Sequence, residues 1–214
     1  MKIFFSMTPL QAPGSLQKYV YQAVDNPVLQ MDEETAFPIM TALHAFAKPQ
    51  EEVRIIAIQT DIENCRENLK KFEKEVKEMS EKIGFTYPHG IEVVSAPADA
   101  GVRSNIEAFQ RLIELVHDND EMYACMTYGV KPLSQIMIMA IQYAYRLLDN
   151  ASISCLVYGR IDRKDREVKG AYVNPDCQRY DRAHPTGRNY SSAGSQQGQE
   201  SARCYRADHL GKLR

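Results

Sequence analysis

Val53-Arg54-Ile55-Ile56-Ala57-Ile58 is a β-branched run of strand length. A continuous apolar run of that kind is the signature of a strand buried on both faces. After it come Ile62, Cys65, Leu69, Phe72, Val76, Met79 and Ile83, spaced by alternating three- and four-residue steps with Lys and Glu between them. That spacing predicts a long amphipathic helix stopped at Gly84. The seven-residue period also suits a coiled coil, but so short a repeat between two strands favours packing on a sheet. Ile91-Glu92-Val93-Val94-Ser95 then reads as another strand, closed by Pro97. A strand, a helix and a strand in that order imply a right-handed parallel crossover.

The same alternation extends in both directions. Upstream, Lys2-Ile3-Phe4-Phe5-Ser6 is a short apolar strand that breaks at Thr8-Pro9. Ser15 is expected to cap a helix running through Tyr19, Val20 and Val24 to Pro27, and a second helix fits Phe37 to Ala47. Downstream, Ser104-Asn105-Ile106-Glu107 has the form of a capping box opening a helix. Met122 to Met126 is a fourth strand, and Pro132 stands where a first helical residue belongs. The helix after it, through Leu148, is apolar nearly all round and needs burial on two sides. Ile153 to Tyr158 is a fifth strand ending at Gly159-Arg160. The pattern predicts a Rossmann-like, doubly wound, mainly parallel α/β sheet over residues 1–168, with strands ordered third-second-first-fourth-fifth. The second partner of the apolar helix is most simply its copy in a homodimer.

Composition bounds the function. The 214 residues carry 26 basic and 28 acidic side chains, for a net charge of −2, which excludes a broad electrostatic footprint for duplex nucleic acid. The longest apolar run, near Ile136 to Ile141, is too short to span a bilayer. Met1 to Phe5 is no signal peptide, so a soluble, cytoplasmic protein is expected. Cys65, Cys125, Cys155, Cys177 and Cys204 are odd in number and widely spaced, which argues against a disulfide framework or a zinc ribbon. From 169 to 214 the only aliphatic residues of the Val, Leu and Ile type are Val173, Leu210 and Leu213, among Arg, Ser, Gln and Gly. Such a segment is expected to be disordered or loosely packed. An RNA-touching tail and an out-of-frame end would give the same pattern.

In open α/β sheets, ligands bind beyond the carboxyl ends of the strands where strand order reverses. Here the loops meeting at that point are Ser6-Met7-Thr8-Pro9-Leu10 and Thr127-Tyr128-Gly129-Val130-Lys131. Gly129 permits close backbone approach, the helix N-terminus offers free N–H groups and Lys131 adds a charge, a combination suited to an anion. Ser6, Thr8 and Thr127 contribute hydroxyls and Tyr128 a ring for stacking. The same segment also serves as an ordinary strand-to-helix turn. Arg103 lies one or more strands away, and Arg160 flanks the site from the fifth strand. There is no G-x-G-x-x-G after the first strand, no G-x-x-x-x-G-K-[ST], no H-E-x-x-H and no Ser/His/Asp set. No cofactor and no metal is therefore expected.

Ser6-Met7-Thr8-Pro9, Phe37-Pro38-Ile39 before the Glu52 to Ile58 strand, and above all Cys125-Met126-Thr127-Tyr128-Gly129-Val130-Lys131 running into a long apolar helix form a familiar pattern. The chain resembles the CARF (CRISPR-associated Rossmann fold) family over roughly residues 1–162, notably its branch with an Asp-x-Thr-His-Gly motif. Cys125 and Tyr128 stand where that branch has Asp and His, so Thr127, Gly129 and Lys131 are what carry over. The resemblance implies a homodimeric sensor of cyclic oligoadenylate in type III CRISPR antiviral defence. It also admits a stand-alone, metal-independent ring nuclease, with Lys131 stabilising charge and Thr8 and Thr127 positioning the ring. A Rossmann-like enzyme acting on another nucleotide is the third reading.

Overall fold

The computed structural model describes residues 1–98, 101–164 and 167–176. Among these residues seven strands form one sheet: β1 (Lys2–Met7), β2 (Gln22–Ala23), β3 (Val53–Thr60), β4 (Ile91–Ala96), β5 (Glu121–Cys125), β6 (Ser152–Lys164) and β7 (Glu167–Asp176). Four helices accompany them: α1 (Ile39–Phe46), α2 (Glu63–Ile83), α3 (Val102–Glu114) and α4 (Lys131–Leu147). The sheet order is β2-β7-β6-β5-β1-β3-β4. β4, β3, β1, β5 and β6 are mutually parallel, which is the expected third-second-first-fourth-fifth arrangement. The fold is α/β, Rossmann-like and mainly parallel.

Side-chain alternation along the central strands divides the core into two layers. Phe4, Ile55, Ala57 and Val157 pack with Leu43 of α1 and with Phe72 and Val76 of α2. Ile3, Phe5, Ile56 and Ile58 pack with Leu112 of α3 and with Met137 and Ile141 of α4. The doubly wound form follows: each crossover lays its apolar stripe on one face of a sheet that is greasy on both.

Four local readings differ from the structure. No helix follows Ser15; Pro13–Ser15 is a single 3-10 turn, Tyr19 bridges to Thr35, and β2 pairs with β7. Tyr21 is buried with Tyr19 and Ala23 packed beside it, while Val20 is 39% exposed. That is a period of two, and tertiary burial has overridden the helical spacing. Ser104 lies inside α3 rather than capping it, because the chain enters from extended backbone at Gly101. β6 does not end at Gly159-Arg160 but continues to Lys164, paired antiparallel with β7. The boundary expected at 168/169 therefore falls within β7, and the sheet takes in residues up to Asp176. The tail reading for residues 177–214 lies outside the described residues.

Among the described residues no helix is long and apolar enough to cross a membrane. Cys65 and Cys125 are free and buried, as core thiols should be. Cys155, read as a third core thiol, is disulfide-bonded.

Candidate functional site

β1 and β5 are neighbours, and their crossovers leave on opposite faces of the sheet. The crevice beyond their carboxyl ends is the place where such a sheet holds a ligand. One wall is the connection from Thr8 to Pro38, the other the turn from Met126 to Val130.

The first wall is pinned from below by α2. Asn68 Nδ2 donates to the carbonyls of Pro9 and Gln11, both at 2.9 Å, and Asn64 Nδ2 donates to Leu10 O at 3.1 Å. Further along, the buried carboxylate of Glu75 accepts from Thr35 Oγ1 at 2.5 Å and from the Ala36 N–H, and Lys18 Nζ sits 3.1 Å away. A long irregular connection held at this many points is a fixed wall rather than a loose loop.

The second wall is built on Gly129. Its φ of +84° is left-handed, and a Cβ placed there would lie 2.2 Å from Met7 Cε. The glycine thus serves both the turn and the close approach of β1. Val130 is the extended residue before α4, and Lys131-Pro132 opens the helix. The N–H groups of Gly129, Val130 and Lys131 find no backbone partner among the described residues. With the α4 dipole behind them, they form an anion-binding end. The Lys131 side chain is exposed at the first helical position, with no ion pair among the described residues.

The other candidates are placed as follows. Ser6 is buried at the end of β1, its Oγ 3.5 Å from Met7 O. Thr8 Oγ1 donates to Ile58 O at 3.0 Å, tying β1 to β3. Thr127 Oγ1 accepts the Gly159 N–H at 2.7 Å, tying the turn to β6. The Tyr128 ring turns inward, edge-on to Phe37 at 6.4 Å, and its hydroxyl donates to Ala36 O at 2.6 Å. It is a strut between the two walls and not a stacking surface. Arg160 stands on β6, 3.3 Å from Asp162 and 5.2 Å over the Tyr172 ring. Arg103 lies in the first turn of α3, the helix packed beside α4, with its side chain 92% exposed beside Glu107. Ser6, Thr8 and the Thr127–Lys131 turn therefore stand at the carboxyl ends of β1 and β5, with Arg160 one strand further on β6 and Arg103 at the start of α3.

Sequence reasoning missed the close approach of Met7 to Gly129, and it missed Tyr158, Gly159, Tyr172 and Asn174. A glycine before Arg160 read as a strand end, and only the pairing of β6 with β7 sets Tyr158 opposite Asn174 and Arg160 opposite Tyr172.

Burial holds the phenols of the wall neutral. Tyr21 is pushed up to about 12, and Tyr128 is also raised, in both cases chiefly by desolvation. A tyrosine in the unfolded chain ionises near pH 10. The folded state therefore retains protons that the unfolded state releases above that pH, and stability falls as pH rises from about 10 toward 12. Alkaline unfolding followed by circular dichroism is expected to be shallower in Tyr21→Phe than in the parent. An unchanged slope would mean that other groups govern that limb.

Among the described residues no cluster of three or more His, Cys, Asp or Glu side chains could hold a metal ion. No protein-family model and no curated protein matches the chain.

Proposed function

We propose that this domain binds a cyclic oligoadenylate as a sensor of that messenger, with two copies of the chain enclosing one ring. The reading rests on one observation above the rest: the α4 N-terminus, whose N–H groups and Lys131 ammonium have no partner among the described residues, opens into the β1/β5 crevice. Backbone amides and one lysine per chain bind phosphates without a basic overall charge, in keeping with a net charge of −2. The outward residues Met139 on α4 and Ile106 on α3 are 59% and 51% exposed. They offer an apolar face to a second copy, and a two-fold assembly would present paired sites to a symmetric ring.

Binding without cleavage is favoured over ring-nuclease action by the state of the hydroxyls. Thr8 Oγ1 donates its proton to Ile58 O, and Thr127 Oγ1 accepts the Gly159 N–H and lies 3.1 Å from Cys125 Sγ. In-line attack by a ribose hydroxyl depends on groups positioned for it, and these two serve the fold instead.

Isothermal titration with cyclic tetra-adenylate and cyclic hexa-adenylate, followed by chromatography of the ligand in EDTA, tests the reading. Saturation at one intact ring per two chains is expected. Linear products would make the domain a ring nuclease, and no heat with either ring would remove the messenger altogether. Lys131→Ala is expected to weaken binding by about 1.5–3 kcal/mol, roughly ten- to hundredfold, the worth of a charge-assisted contact. Its melting temperature should not change, since the side chain is exposed.

A further inference from the structure

If an adenylate ring binds at this crevice, its bases need a surface, and Tyr128 does not provide one. The β6–β7 pair does. Along β6 the side chains alternate: Cys155 and Val157 are buried in the α1–α2 layer, and Leu156 packs on the α3–α4 layer. A Cβ on Gly159 would meet Pro38 and Tyr21, on the α1–α2 side. Tyr158 and Arg160 therefore stand on the α3–α4 face. Cys125, the last residue of β5, pairs with Val157, and the Met126 N–H donates to Val157 O at 3.1 Å. Tyr158 is thus the first β6 residue past the end of β5, on the face and at the level where α4 begins. It is 46% exposed.

β7 completes the surface, with Asn174 opposite Tyr158 and Tyr172 opposite Arg160. The Arg160 guanidinium lies 5.2 Å over the Tyr172 ring. Its pairing with Asp162 at 3.3 Å is between two half-exposed side chains, a contact of little worth that yields readily to a phosphate. Asn174 Oδ1 is buried with no hydrogen-bond partner among the described residues. An unsatisfied amide in such a place is costly unless something meets it.

We propose that Tyr158, Arg160, Tyr172 and Asn174 form the nucleobase wall of the site. Tyr158 stacks on an adenine, Arg160 reaches the phosphate beside it, and the Asn174 amide, turning its buried Oδ1 outward, reads the adenine edge. Adenine presents an N6 donor next to the N7 acceptor, the pattern an asparagine amide matches with two hydrogen bonds. Aromatic stacking supported by arginine is the usual means of holding single-stranded nucleotides. This inference rests on the adenylate reading above, but it also predicts affinity for open chains.

The test titrates the full chain and its Tyr158→Ala, Tyr158→Phe and Asn174→Ala variants with cyclic tetra- and hexa-adenylate. Linear hexa-adenylate and hexa-uridylate serve as open-chain probes, and melting temperatures serve as the folding control. Tyr158→Ala is expected to lose roughly tenfold in affinity, the effect of removing one stacked base, while Tyr158→Phe keeps it. Asn174→Ala is expected to lose the preference for adenylate over uridylate. A ring that binds the parent and Tyr158→Ala equally would overturn the wall and leave the sensor reading standing. Binding of the linear adenylate alone, weakened in Tyr158→Ala, would keep the wall and overturn the sensor. No binding of any adenylate would overturn both.

Discussion

Gly129→Ala is expected to lower the thermal midpoint by about 5–15 °C, through a loss of about 2–4 kcal/mol. Two costs combine. The φ of +84° is one that an L side chain adopts only at a penalty, and the new methyl would sit 2.2 Å from Met7 Cε. Met7 is 1% exposed, so its tip has to move within a packed interior. Gly84→Ala separates the two costs. Gly84 has a φ of +90°, but its nearest neighbours, in Pro49, are 3.9 Å away. It carries the backbone penalty without the clash. Calorimetry of both variants should show the larger loss at Gly129, and equal losses would mean that Met7 relaxes freely. Because Gly129 also precedes the α4 N–H groups, its replacement should weaken ligand binding even below the melting range.

Glu75→Ala is expected to cost about 2–3 kcal/mol in urea unfolding, the penalty of stranding buried donors. Glu75 is 7% exposed, and its carboxylate is the acceptor for the Thr35 hydroxyl and the Ala36 N–H. Lys18, its ion-pair partner, is 48% exposed at the side chain. Lys18→Ala should therefore cost far less, in line with solvent-screened pairs. Glu75→Gln, which retains one acceptor oxygen, should fall between the two. Equal losses for Glu75→Ala and Lys18→Ala would assign the stability to the ion pair instead of the buried hydrogen bonds. The consequence extends to the crevice. Ala36 supplies the carbonyl that Tyr128 donates to, so loosening Ala36 frees the strut joining the two walls.

Both sites act on the part of the chain that was hardest to read in one dimension, the connection from Thr8 to Pro38: Glu75 holds Thr35 and Ala36, and the Gly129 turn reaches Ala36 through Tyr128. Val53 to Ile58, the stripe from Cys65 to Met79 and the Lys131-Pro132 helix start declare themselves locally, since strand length, heptad-like spacing and a proline at a helix start are properties of neighbours in sequence. The segment from Thr8 to Pro38 has no such property. Its residues are held by α2 side chains more than thirty positions away, and Tyr19-Val20-Tyr21 suits a helix or a strand until burial chooses. The Thr127–Lys131 turn was legible as a candidate from its glycine and lysine, yet the direction of Tyr128 was not, because that is decided by Ala36 and Phe37 across the crevice.

The class of fold and the order of its five core strands follow from the alternation of buried runs with amphipathic helices, because right-handed crossovers leave few ways to stack them. The long β6–β7 pair follows from no local signal. Its outer strand is short of aliphatic residues and acquires its shape by lying against β6, where Ala171 and Val173 reach the core. The composition of the crevice walls is likewise a matter of which distant groups meet. Periodicity is written along a chain, whereas the meeting of Tyr158 with Asn174, or of Gly129 with Met7, exists only once the chain has packed.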